Sequence, residues 1–259
     1  MTSMKTKMMI GTALLAGMTL FTGCEILQQF ATTGLPSTTT SQGQVVYSDA
    51  EGLKEALTVG ITNTVKLVNQ PDGYFGDAML KIVLPAEASI ITDNIKLIPG
   101  GETLINDVVL RLNRAAEDAA AKATPIFVAA IKRMTFQDAT AILFGQSTAA
   151  TQYLKTNTST LLINAYKPVI AASLDKELVG GISANTAWNS LTSAYNKVAT
   201  STAGALYGLK PVTTDLGTYA TNKALDGLFL KVGQEEANIR TNVAARVTPI
   251  LKQVFAKID

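Results

Sequence analysis

Ser173 and Lys176 have the Ser-x-x-Lys spacing of penicillin-binding enzymes, in which the lysine helps to activate a serine nucleophile. Tyr219 and Lys223 have the Tyr-x-x-x-Lys spacing of short-chain dehydrogenases. Neither pair has its companions. No Ser-Asp-Asn occurs, the nearest approach to Lys-Thr-Gly is Lys155-Thr156-Asn157, and no glycine fingerprint or βαβ pattern surrounds Tyr219. Carboxylates offer a different chemistry: two of Glu117, Glu235 and Glu236, converging in a wet cleft at about 5 to 9.5 Å, would serve as acid and base of a glycan hydrolase. The chain contains no histidine. That absence removes His-based acid–base catalysis, Ser-His and Cys-His pairs, and nearly every familiar zinc or haem site. Nothing matches a P-loop either. The expectation is a protein with no catalytic residue, no metal and no cofactor.

Charges set inside apolar patterns are more informative. Between 214 and 241, Leu225, Leu228, Phe229, Val232 and Ile239 form one helical stripe, and at about 100° per residue Glu236 projects near its centre. A carboxylate there needs a partner, and Arg240 lies one turn on. Between 102 and 123 the stripe is Leu104, Val108, Leu112, Ala115 and Ala119, while Asp107, Arg111, Arg114 and Asp118 gather on its flank. These groups read as functional sites or, on the plainer account, as a buried structural ion pair and a solvated, salt-bridged face. The third signal is Pro71-Asp72-Gly73-Tyr74-Phe75-Gly76. Its glycines free the backbone, and its two rings either grip a partner or fold inward to plug the adjoining helices. Tyr74, Phe75, Arg111, Arg114, Glu117, Glu236 and Arg240 are therefore the candidate binding residues.

Cys24 is the one cysteine of 259 residues. Before it come Lys5 and Lys7 and an apolar run from Met8 to Phe21, about 14 residues, which suits an export signal and falls short of the ~20 that span a bilayer. Thr22-Gly23-Cys24 resembles the lipobox of bacterial lipoproteins, with Phe21 at the usual Leu position. Cleavage before Cys24 and acylation of its thiol are expected, with residues 1–23 as the signal peptide. In lipoproteins generally an aspartate after the cysteine marks inner-membrane retention; Glu25 implies passage to the outer membrane, facing the periplasm. Loss of Lys5 and Lys7 from the 22 basic residues leaves 20 against 20 acidic, a formal charge of zero. Such a balance argues against a nucleic-acid partner, because displacing counterions from phosphates needs a basic surplus.

Residues 24–47, rich in Thr, Ser, Gln and Gly, are expected to form a flexible tether of about 25 Å end to end. Residues 48–259 then suffice for a single all-α, bundle-like domain. Ser48 and Glu51 stand at capping-box spacing, and Leu53, Leu57, Ile61, Thr64 and Val68 share a face. Alternating Leu80, Ile82 and Leu84 allow a short extended segment. Helices are predicted over 86–98, 102–123, 125–134, 136–144, 148–178 with a break near Pro168, 184–199, 214–241 and 249–257. Thr124-Pro125 and Thr248-Pro249 mark starts, as does Thr135, while Gly145 and Gly180-Gly181 mark stops.

"GLKEALTVGITNTV", "PDGYFG", "IVLP", "LNRAAEDA", "FVAAIKRMTFQDATAIL", "ATQYL" and "NKALDGLFLKVGQEEANIR" occur in that order. Together they resemble the bacterial domain-of-unknown-function family four-one-nine-seven, from about residue 49 to the end, with the weakest likeness between Gly180 and Pro211. The resemblance implies a mainly helical, secreted or lipid-anchored protein of a Gram-negative bacterium, and no established reaction. The resulting expectation is a non-enzymatic binding or scaffolding lipoprotein whose partners are the membrane, through its lipid, and an envelope protein or an apolar ligand. The alternatives are a histidine-free carboxylate hydrolase and a carrier of an apolar molecule.

Overall fold

Ser48 begins the helical body. Its hydroxyl accepts the backbone N–H of Glu51, and the Glu51 carboxylate accepts the backbone N–H of Ser48 in return. The computed structural model describes residues 38–39, 45–46, 48–94, 101–177 and 181–259. The signal peptide, Cys24, most of the expected tether and Gly180 lie outside these residues. Within the tether stretch, β1 (Thr38–Thr39) pairs antiparallel with β2 (Val45–Val46).

The domain is all-α. In chain order the helices are α1 (Asp49–Val68), α2 (Ser89–Asn94, after a 3-10 turn at Ala86–Ala88), α3 (Gly101–Ala120), α4 (Ala123–Arg133) and α5 (Phe136–Leu143). They continue as α6 (Ala149–Leu174), α7 (Ala184–Ala199), α8 (Thr202–Leu206), α9 (Leu216–Thr241) and α10 (Pro249–Phe255). The long helix α6 lies against α9 and α3, and these three form the centre. Leu112, Leu154, Leu162, Tyr166, Ile170 and Leu228 are completely buried there; each aliphatic side chain so buried contributes about 1.5–3 kcal/mol relative to exposure. A second cluster joins Leu53, Ala56, Leu143, Leu251 and Val254 beneath α1, α5 and α10, and both clusters share Leu57 and Tyr153.

Four local expectations need revision. Helix α6 runs unbroken through Pro168, because Pro168 and Asn164, whose carbonyl loses its donor, both lie on the exposed face where water can replace the bond. Thr124 is not an N-cap: α4 starts at Ala123, two residues before the predicted start, and Ala123 is fully buried and separated from the end of α3 only by the turn Ala121-Lys122. The alternation of Leu80 and Ile82 is real, with both buried, but the segment pairs with a side chain and not with a strand. Helix α8 was not anticipated, being too short to show a period. By contrast, Thr135 and Thr248 do cap α5 and α10, and Gly145 stands just past Phe144, the C-cap of α5.

Candidate functional site

The 71–76 loop leaves α1 through Asp72, which takes φ 68°, a left-handed conformation that aspartate tolerates better than most residues. Gly73 is required by space: a Cβ there would stand 2.6 Å from the carbonyl oxygens of Leu67 and Val68. The turn aims Tyr74 inward, where it is fully buried and its hydroxyl donates to the Ala224 carbonyl of α9 at 2.7 Å. Gly227 makes room for the ring, since a Cβ there would meet Tyr74 Cε1 at 2.9 Å. Burial, then the neighbouring Tyr166 and Glu117, push the Tyr74 hydroxyl well above its usual range, so it remains a donor.

Glu117 of α3 holds the loop from below. Its Oε1 accepts the backbone N–H groups of Tyr74 (3.1 Å) and Phe75 (3.2 Å), and its Oε2 accepts Arg114 Nη1 at 2.6 Å. Arg114 Nη2 then donates to Asp72 at 2.8 Å, closing a ring of charge from helix to loop. One residue earlier, Asn113 is completely buried and acts as a surrogate strand: its Oδ1 accepts the Ile82 N–H and its Nδ2 donates to the Ile82 carbonyl, both at 2.8 Å. Phe75 is only half-buried, with Lys81 Nζ 4.2 Å above its ring and Arg114 Cζ at 6.0 Å. Beside the loop an open cleft of about 590 Å³ is lined by Leu67, Gly73, Gly76 and the ion-paired Asp77 and Lys231 (2.6 Å). The Lys231 hydrogen bond chiefly holds the Asp77 carboxyl below its ordinary range.

Glu236 and Arg240 form the expected buried pair, at 3.0 Å and with both side chains at least nine-tenths covered. Their wider role was not foreseen. Glu236 accepts the backbone N–H groups of Ala150 (3.0 Å) and Thr151 (2.8 Å) and the Thr151 hydroxyl (2.7 Å), so a carboxylate of α9 caps the start of α6, where Thr148 supplies no side-chain bond. Arg240 donates to the carbonyls of Ile142 (2.8 Å) and Leu143 (3.1 Å), closing the end of α5. One ion pair therefore satisfies two helix termini.

The candidate residues fall into two groups. Tyr74, Phe75, Arg114 and Glu117 meet at the loop; Glu236 and Arg240 meet at the α5–α6 junction; Arg111 belongs to neither and donates to the Glu177 carbonyl at 3.2 Å. Glu235 is half-buried and accepts from Asn238 at 3.3 Å. Ser173 is buried whereas Lys176 is exposed, and the Tyr219 hydroxyl donates to the Val83 carbonyl at 2.9 Å. Two structural centres escaped the sequence reading. Asn113, a poor helix former placed among apolar residues, was the visible clue to the first. Arg246 is 1 % exposed, donates to the Ile239 and Arg240 carbonyls that end α9, and pairs with Asp259 at 2.6 Å; its position in a loop without periodicity gave no sign of burial.

Among the described residues no group of three or more Cys, Asp or Glu could hold a metal ion, and no helix is long and apolar enough to cross a membrane. The profile of a family described as "Protein of unknown function (DUF4197)" matches residues 46–256. No curated protein and no solved structure matches the chain.

Proposed function

Because the chain belongs to the DUF4197 family of proteins of unknown function, we propose a role from its own geometry: a lipid-anchored envelope protein that binds a protein partner at the 71–81 loop without catalysing a reaction. The observation that carries this is the use to which the buried carboxylates are put. Glu117 and Glu236 each accept from two backbone N–H groups and an arginine, so both carboxylates are engaged in holding the fold together. The loop so held is rigid and offers a mixed surface: Leu67 and Met79 are more than half exposed, beside the Asp77–Lys231 pair and the ring of Phe75. A small apolar cargo favours an enclosed dry cavity, whereas a cleft lined by charges and open to solvent suits a protein segment. The export signal and the lipobox-like Thr22-Gly23-Cys24 support placement at the outer membrane, facing the periplasm.

Purification from host membranes tests both halves. Intact mass is expected to show acyl chains on a chain starting at Cys24, and a photo-crosslinker at position 79 is expected to capture one envelope protein in a manner abolished by Leu67→Asp. An unacylated start elsewhere would remove the anchor. A stoichiometric bound lipid in place of the protein would replace the scaffold with a carrier.

A further inference from the structure

The corner between α7 and α9 is built to stay rigid. Ser201 caps α8 by accepting the Gly204 N–H at 3.1 Å, and the turn closes with Gly208 N–H to the Ala205 carbonyl (3.1 Å) and Leu209 N–H to the Gly204 carbonyl (3.0 Å). Those two bonds, with Gly208 at φ 67°, make a Schellman motif. The turn sits tightly on the end of α7: a Cβ on Gly204 would stand 2.2 Å from the Val198 carbonyl oxygen. Fixed in this way, Leu206 and Tyr207 are 84 % and 81 % exposed, the highest values of any large apolar side chains among the described residues, and Val198 beside them is 56 % exposed.

Single exposed apolar residues are ordinary, but two adjacent ones held outward by a structured turn are not. Their electrostatic setting is also distinctive. From Leu178 to Thr214 the sequence contains no Asp or Glu, while Lys197 and Lys210 flank the corner and are both exposed. An aliphatic residue next to a tyrosine, in a stretch of sequence that holds exposed lysines on either side and no carboxylate, matches the boundary between acyl chains and anionic headgroups. A second copy of the chain is a poorer occupant, since three side chains offer far less than the ~800 Å² per partner of a standard interface.

We propose that the 198–210 corner inserts into a phospholipid surface, with Leu206 and Tyr207 entering the interface while Lys197 and Lys210 meet anionic phosphates. This deepens the lipoprotein assignment and rests on it only for bringing the domain to a bilayer. The corner fixes which face of the domain turns towards the lipid once the acyl chains are in place.

The test uses residues 24–259 with Cys24→Ser, so that no acyl chain contributes, and vesicles of phosphatidylethanolamine and phosphatidylglycerol at three to one. The protein is expected to float with the vesicles, more weakly when phosphatidylglycerol is omitted or salt is raised. In Leu206→Asp/Tyr207→Asp the partition coefficient is expected to fall about tenfold or more, and in Leu206→Ala/Tyr207→Ala to fall by less. Phe136→Asp, at a ring 65 % exposed elsewhere, is expected to leave it unchanged. Circular dichroism of each variant reports that the fold is kept. No flotation of the parent, equal flotation of the double-Asp variant, or an equal loss in Phe136→Asp would overturn the proposal. Crosslinking of position 207 to an envelope protein without flotation would do the same, by assigning the corner to protein recognition. Intact mass of host-derived protein reports on Cys24 independently, so the anchor and the corner can fail separately.

Discussion

Glu117 and Glu236 do similar work by different means. Each is buried on a long helix, and each is made tolerable by donors from another part of the chain together with an arginine three or four residues away. Taking the charge from one of them leaves either its arginine or its amide donors without an acceptor. Glu236→Gln is therefore expected to lower the unfolding free energy by about 3 kcal/mol, the lower end of the cost of breaking a buried pair; an unchanged urea midpoint would mean that the pair contributes nothing. Glu117→Gln keeps an oxygen for the loop amides but turns its –NH₂ towards Arg114. A loss of about 1–3 kcal/mol is expected, and the Tyr74 and Phe75 amides should exchange hydrogen faster while those of α6 do not. Equal exchange in both proteins would show that Glu117 does not hold the loop. The sequence pattern revealed Glu236 because its stripe is regular and its partner is local. It did not reveal the burial of Glu117, because the donors come from a loop more than 40 residues away.

Where two helices approach closely, the sign of a glycine substitution depends on the neighbour and not on helix propensity. Gly52 of α1 faces α10, and an added Cβ would fall 1.9 Å from Val254 Cγ2, closer than any real contact. Gly233 in the middle of α9 has as its nearest neighbour Thr151 Oγ1 at 3.7 Å, an ordinary van der Waals distance. Gly233→Ala is thus expected to stabilise by about 0.5–1 kcal/mol through lost backbone freedom in the unfolded chain. Gly52→Ala is expected to destabilise by about 1–3 kcal/mol through overpacking, and Val254→Ala added to it should recover part of the loss. Urea titration of the three variants measures this; a stabilising Gly52→Ala would show that α10 moves aside freely. Such pairings were invisible in the sequence, which gave the existence of α1 and α10 but not their contact. What could be read was local: the capping box at Ser48, the cap at Thr135, the Thr248-Pro249 start, the stripe of α3 and the ends of α7. What could not be read were the features decided by distant partners, such as Asn113 pairing with Ile82, and the elements too short to carry a period, such as α8.

Across the whole molecule, the composition predicts an unusual pH profile. With no histidine, no side chain of ordinary pKa changes charge between about pH 5 and 8, so stability should be flat there. Below that range the aspartates decide. Asp77 is held low chiefly by the Lys231 hydrogen bond, Asp138 by the Thr135 backbone, Asp215 by the Thr218 hydroxyl and Asp259 by the Arg246 guanidinium, all from an ordinary value of 3.8. A carboxyl whose folded pKa lies below its unfolded value contributes stability that is complete above the unfolded value and is lost as pH falls through the folded one. Glu55 acts in the opposite sense: burial raises it above 4.5, so its small cost disappears as pH falls towards that value. Four contributions against one make the net slope downward on acidification. The urea midpoint is expected to hold constant from pH 8 to about 5 and then to fall steadily as the solution passes below the ordinary aspartate range. Lys231→Met separates the sources, because it removes the hydrogen bond that chiefly lowers Asp77 while leaving the other three aspartates in place. That variant should be less stable than the parent at neutral pH and converge on it in acid, where Asp77 is protonated in both. A midpoint that moves between pH 6 and 7, or a difference from the parent that grows in acid, would place the acid-sensitive groups elsewhere in the fold.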